Sequence, residues 1–279
     1  MTEKDFRQIV TDLEIDSSYK DNIKEFMNKL VSIIDTSDLY KVESIDKAGS
    51  LKTGTHSKES NNFDFTVILR DLKSNYYPIM NQACLNEIWN KLVFGFNIEK
   101  VNQIKIDEQR NAIIFTKDNK NITIFVRFLN DLEFQLGNFT KEDKIRYNFF
   151  NNARADFNLF KNTIILIKDI RDKAYVNISG YVIELLLYYA LSANFTKHTY
   201  EAYLHEFIHG IDDFLKGKKI DQYNDTYHKL NIERVQQPNK PYTIVDIANG
   251  VNLTANIGEA YLSEFKKLKK AISKALEIR

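Results

Sequence analysis

Two short stretches carry residue types that could do chemistry together. Gly49-Ser50-Leu51-Lys52-Thr53-Gly54-Thr55 is a small-residue turn, and further on Asn61-Asn62-Phe63-Asp64-Phe65-Thr66 opens a run continuing as Val67-Ile68-Leu69. Such a turn brings backbone N–H groups and a hydroxyl to phosphate oxygens. Asn62 and Asp64 are two residues apart, so on a strand they face one side and could hold a divalent metal. Two metals bridged by carboxylates on that face would activate an attacking hydroxyl and stabilise a leaving pyrophosphate. On spacing alone the same residues also read as a solvated turn before a strand, the more frequent outcome.

The elements that must position these residues follow from periodicity. Ile23, Phe26, Met27, Leu30, Ile33 and Ile34 form a helical stripe. The β-branched and aromatic runs 66–69, 112–115 and 122–126 read as strands, with Lys117-Asp118-Asn119-Lys120 as a hairpin turn between the last two. A helical stretch occupies 82–94. After about Lys141 the spacing is helical to the end, with helices expected over 158–172, 180–193, 199–216 and 258–276. An α/β half is therefore followed by an α-helical half, and a cleft between two lobes is a common place for a ligand.

Composition narrows the classes. Lys and Arg number 39 against 38 Asp and Glu, a net charge of +1, which excludes a partner read from bulk charge but leaves room for a local basic groove. With 43% hydrophobic and 13% aromatic residues, wholesale disorder is excluded. Cys84 is the one cysteine, so neither an internal disulfide nor a thiolate metal framework is available. The N-terminus lacks the apolar stretch of a signal peptide. The longest apolar run, Tyr181 to Ala193, contains Glu184 and falls short of the ~20 residues a bilayer requires. The expectation is a soluble, cytoplasmic protein with no membrane partner.

Lys47-Ala48-Gly49-Ser50 through Leu69 resembles the signature of the polymerase-β-like nucleotidyltransferases, in the branch of the 2′-5′-oligoadenylate synthetases, cGAS-like cyclases and archaeal CCA-adding enzymes. Three later segments are similar to that family in the same order. Phe160 to Lys168 resembles its lysine-bearing helix, and Ser179-Gly180-Tyr181-Val182-Ile183-Glu184-Leu185-Leu186 its (S)-x-Y-x-x-E-L-L helix. Tyr242 to Asp246 followed by Val251 to Asn256 resembles its ILDP…NN turn. The resemblance implies an α+β, two-lobe nucleotidyltransferase fold: a mixed-sheet palm lobe with an N-terminal helix over 1–145, then an α-helical lobe over 146–279. It implies a nucleoside triphosphate and Mg²⁺ in the interlobe cleft. Asp64 and Asn62 would be the catalytic, metal-holding pair, and Gly49, Ser50, Lys161, Lys168 and Tyr181 would bind nucleotide. RNA is a further partner on this reading, and a protein partner if the fold has lost its activity.

Two departures from the family pattern bear on activity. Asn62 stands where the family has a carboxylate, and an amide binds Mg²⁺ less well. Arg127 aligns with the third family carboxylate, and a cation opposes metal binding. Asp131 or Glu133 shares the parity of Arg127 and could substitute if the strand continues. The expected function is a nucleotidyltransferase-fold protein that binds nucleotide, with transfer to a 2′- or 3′-hydroxyl weak or lost. The alternative is an active oligonucleotide synthetase or RNA-tailing enzyme in which Asn62 is a substrate-trapping substitution.

A rival of another class is a zinc metallopeptidase. His205-Glu206-Phe207-Ile208-His209 fits the His-Glu-x-x-His motif, with Glu233 the obvious third-ligand candidate. The same segment also reads as a core helix, with Tyr200, Leu204, Phe207, Ile208, Ile211, Phe214 and Leu215 inward and both histidines on its flank. Phe265-Lys266-Lys267-Leu268-Lys269-Lys270 reads as an amphipathic helix with a solvated lysine face, or as an RNA contact.

Overall fold

The structure, a computed structural model, describes residues 2–35, 37–71, 77–98, 103–108, 111–128, 138–192, 197–218, 244–247, 253–254 and 259–277. They fall into two compact units, residues 15–140 and residues 1–14 with 141–279.

The 15–140 unit is built on a five-stranded mixed sheet. Its strands are β1 (Tyr40–Lys47), β2 (Asn62–Asp71), β3 (Ile104–Asp107), β4 (Ala112–Lys117) and β5 (Lys120–Phe128), in the spatial order β1-β2-β5-β4-β3. β2 and β5 are parallel neighbours, and the other pairs are antiparallel. Alternation sets the faces: Phe63, Phe65, Val67 and Leu69 of β2 and Ile122, Ile124, Val126 and Phe128 of β5 are buried. They share a core with Ile23, Leu30 and Ile34 of α2 (Ser17–Ile34) and with Cys84, Leu85, Ile88 and Leu92 of α4 (Tyr77–Gly95). Asp16 caps α2 by accepting from the Tyr19 N–H at 2.8 Å. The β4–β5 connection is the two-residue hairpin expected at this sequence: Asp118 and Asn119 take φ of 50° and 61°, the left-handed pair that matches strand twist.

The second unit holds α1 (Glu3–Leu13), α5 (Asn138–Asp156), α6 (Phe160–Lys173), α7 (Gly180–Leu191), α8 (Tyr200–Leu215) and α9 (Glu259–Glu277). Every residue from Thr163 to Asp169 of α6 is buried, so this helix is the axis of the unit. The fold is thus α+β, as expected. The N-terminal helix read from Ile23 to Ile34 is α2 and packs on the sheet as expected, whereas residues 1–14 leave the grouping over 1–145: Phe6 and Val10 of α1 are buried in the helical core with residues 141–279. No helix among the described residues is long and apolar enough to cross a membrane.

Candidate nucleotide site

The Gly49–Ser50 turn and Asp64 meet. β1 ends at Lys47, and the Ala48 N–H donates to the Asp64 carbonyl at 2.9 Å, which anchors the turn to β2. Gly49 has φ +48°, and a Cβ on it would lie 2.5 Å from Asp64 Oδ2. Only glycine satisfies both the left-handed backbone and that approach. One short helical turn, α3 (Gly49–Thr53), follows and is closed by Gly54 at φ 73°. Behind it lies His56, 1% exposed. His56 Nδ1 is 3.3 Å from Ser50 Oγ, and its Nε2 is 2.9 Å from the Tyr19 hydroxyl. Burial, with Glu59 adding, pushes the Tyr19 phenol up to about 12, so it stays protonated. In the tautomer with the proton on Nδ1, His56 accepts from Tyr19 and donates to Ser50.

Strand pairing sets what surrounds Asp64. Asn62 and Asp64 share the face opposite the sheet's aromatic core, as their spacing requires. In register with them on β5 are Asn121 and Thr123. Asn62 Oδ1, its side-chain amide oxygen, accepts from Asn121 Nδ2 at 3.2 Å. Arg127 is paired with Ile68 instead. Four residues separate it from Thr123, about 13 Å along an extended strand. Its guanidinium donates to the carbonyls of Val126 at 2.8 Å and Asn111 at 3.4 Å, and lies 5.5 Å from the Phe125 ring centre. Asp131 and Glu133 lie outside the described residues. β1 adds a carboxylate that sequence spacing does not reveal: Asp46 pairs with Thr66, which puts it on the Asp64 face, diagonal to Asp64.

These donors can be tested against Mg²⁺. Among the described residues no group of three carboxylate, imidazole or thiol side chains is placed to hold a metal. The Asn62 amide is already engaged with Asn121. The set does not fit two carboxylate-bridged metals; it fits at most one cation shared between Asp64 and phosphate oxygens.

The helical unit carries the remaining residues. Lys161 Nζ lies 3.5 Å from Glu14 Oε1, both partly exposed. Lys168, on the same helix, is 8% exposed, and its ammonium is 2.9 Å from Oε1 of Glu184, itself 7% exposed. The lysine stem runs under Gly180, where a Cβ would meet Lys168 Cε at 2.7 Å. Tyr181 donates to Asp246 Oδ1 at 2.9 Å, and Arg146 reaches Asp246 Oδ2 at 2.6 Å while lying over the Tyr181 ring at 5.8 Å. Burial first, then the Asp246 charge, raises the Tyr181 phenol well above its ordinary value.

The zinc motif lies on α8. Tyr203, Leu204, Phe207, Ile208, Ile211 and Phe214 face the core. His205 and His209 are exposed, 3.9 Å from Glu201 and 3.7 Å from Glu206 of their own helix. Glu233 lies outside the described residues. On α9, Phe265 and Leu268 are buried, Lys267 pairs with Glu264 and Lys269 with Asp212.

No protein-family profile and no curated protein sequence matches the chain. Solved structures do. CdnC of E. coli MS115-1, determined with ATP, is 16% identical with a TM-score of 0.66, over 99% of this chain and 91% of that one. A cytoplasmic RNA terminal U-transferase is 12% identical with a TM-score of 0.62, over 99% of this chain and 94% of that one. The Vibrio cholerae cyclic AMP-GMP synthase DncV, in complex with nonhydrolyzable GTP, is 11% identical with a TM-score of 0.62, over 96% and 88%. The chain has the polymerase-β-like nucleotidyltransferase fold. Sequence spacing pointed to the Gly49–Ser50 turn and Asp64, which the fold brings together, and gave no signal for His56 and Asp46 near them or for Arg146 beside Tyr181. Asp46 is revealed only by strand pairing. Arg146 meets Asp246 a hundred residues on, and His56 links Ser50 to Tyr19 thirty-seven residues back, so no single local spacing marks either.

Proposed function

We propose that the protein binds a nucleoside triphosphate with its phosphates at the Gly49–Ser50 turn beside Asp64, and that nucleotidyl transfer to a 2′- or 3′-hydroxyl is weak or lost. The observation that carries this is the glycine-only contact between the turn and the Asp64 carboxylate. In this reading Ser50, held by His56, meets the terminal phosphates. Asp64 would hold one Mg²⁺ together with the phosphates, and that cation would supply charge neutralisation. Weak transfer follows from the amide at Asn62 and from Thr123, not a carboxylate, in register with Asp64. The acceptor would be a second nucleotide or an RNA end, as the neighbouring synthase and U-transferase act on such molecules. A cytoplasmic location belongs to the same proposal.

The test is calorimetric titration of the chain with nonhydrolysable ATP and GTP, with and without Mg²⁺ or Mn²⁺. A parallel incubation with labelled triphosphates, with and without RNA, compares parent and Asn62→Asp. Saturable nucleotide binding, with product confined to Asn62→Asp or absent from both, supports the reading. Efficient product from the parent overturns the weak-transfer part, and absence of nucleotide binding overturns the whole.

A further inference from the structure

The face of the sheet opposite Asp64 carries a second site. A cavity of about 240 Å³ opens between α2 and the β2, β4 and β5 end of the sheet, all within the 15–140 unit. Its wall is aromatic. Phe26 lies between Phe65 and Phe96, with ring centres 5.2 and 5.4 Å away and planes within 29° and 19° of parallel. Tyr19 and Phe63 form a second near-parallel pair, 6.4 Å apart and 18° from parallel. Phe26 and Tyr19 remain half-buried. A ring filling the cavity would therefore remove aromatic surface from water that the fold itself leaves wet.

The mouth is cationic. Lys120 Nζ lies 4.7 Å from the Phe63 ring centre and 5.7 Å from Tyr19, and Lys29 Nζ lies 5.2 Å from Phe96. Lys117 also lines the cavity, against the single carboxylate of Asp118. Three ammonium groups around an aromatic slot select an anion attached to a flat ring. A neutral ring forgoes the charge, and a bare anion forgoes the apolar burial. A cavity of roughly 150 Å³ is enough for benzene, so this one has room for a fused bicycle.

We propose that this cavity is a binding site for a flat, ring-bearing anion, with the ring against Phe26, Phe63 and Phe96 and the anionic group between Lys29 and Lys120. The site is separate from the proposed nucleotide position, because Phe63 and Phe65 point away from the face that carries Asp64. It is nonetheless wired to the turn. Tyr19 lines the cavity, and its hydroxyl bonds His56, whose other nitrogen bonds Ser50. The His56 ring also packs edge-on against Phe63 at 4.8 Å.

The experiment titrates the full chain with 2-naphthoate and, separately, with neutral 2-naphthalenemethanol, following side-chain resonances by NMR. Expected are saturable shifts at Phe26, Phe63 and the His56 imidazole, with the alcohol binding several-fold more weakly. Lys29→Gln and Lys120→Gln, both at exposed positions that leave the core intact, should each weaken 2-naphthoate by about fivefold, the scale of one exposed ion pair, and leave the alcohol unchanged. Absence of saturable shifts overturns the site. Equal affinity for both probes, or indifference to the lysine variants, overturns the anion preference. Binding is read without any triphosphate, so its failure is distinct from failure of the nucleotide reading.

Discussion

Lys168 and Glu184 form a buried ion pair, ammonium to carboxylate at 2.9 Å, across two neighbouring helices of the second unit. Lysine seven residues after Lys161 on the same helix reads in sequence as a second phosphate ligand. In the fold the two lysines have different work: Lys161 meets Glu14 near the surface, and Lys168 neutralises a carboxylate inside an apolar run. A buried charge that loses its partner is far costlier than the pair is stabilising. Lys168→Met should therefore lower stability by about 3–5 kcal/mol. The double variant Lys168→Met/Glu184→Leu should recover most of that loss. Urea denaturation of the three proteins decides it. An unchanged midpoint for Lys168→Met would remove the structural role and return the residue to the nucleotide.

Gly49 makes a sharper test of the turn. Its φ of +48° and the proximity of Asp64 Oδ2 both exclude a Cβ. Gly49→Ala should cost about 1–2 kcal/mol from the left-handed backbone alone, with more from displacing the Asp64 carboxylate. If the turn seats phosphates, nucleotide affinity should fall by a larger factor than the stability loss explains. Titration of the folded variant at low temperature separates the two effects.

Asn62→Asp carries the opposite expectation. The position is exposed, and the new carboxylate still accepts from Asn121, so stability should stay within about 0.5 kcal/mol of the parent. Mn²⁺ affinity in the presence of a nonhydrolysable triphosphate should rise, because a second carboxylate joins Asp64 on one strand face. Calorimetry with the metal alone and with nucleotide measures it. No gain in either would mean that Asp64 does not hold the metal.

Much of this was legible where local pattern and tertiary demand agree. The alternation around Phe63 to Leu69 and Ile122 to Val126 marks strands because one face of each is buried, and Asp118-Asn119 marks a hairpin because both residues tolerate positive φ. β1 was not legible: Lys41, Glu43 and Asp46 interrupt its apolar residues, and it is a strand because β2 offers it an edge. Nor was the allegiance of α1, whose Phe6 and Val10 are buried by helices more than a hundred residues away. At the site, sequence located Gly49 and Asp64 because a glycine turn and an alternating strand are local features. Asp46 and His56 depend on strand register and loop closure, which spacing does not encode.

Tyrosine burial predicts an alkaline limit to stability. Tyr19, Tyr40 and Tyr181 all have phenols raised from an ordinary 10.0, Tyr19 to about 12 and the other two further, with burial the leading cause in each. The neighbouring charges of Glu59, Glu87 and Asp246 act in the same direction. For an acid whose neutral form is favoured by folding, the unfolded state releases its proton first. The stabilisation is therefore complete below pH about 10 and is lost as pH rises from there toward the folded values. Urea midpoints should hold steady from neutral pH to about 10 and then fall, while ultraviolet tyrosinate absorbance lags behind that of the unfolded chain. Tyr181→Phe should flatten this alkaline slope, since Phe cannot ionise. At neutral pH it should cost about 2 kcal/mol, because Asp246, 3% exposed, loses a donor to its charge. A Tyr181→Phe protein with the parent's alkaline slope would show that this phenol is not held neutral by the fold.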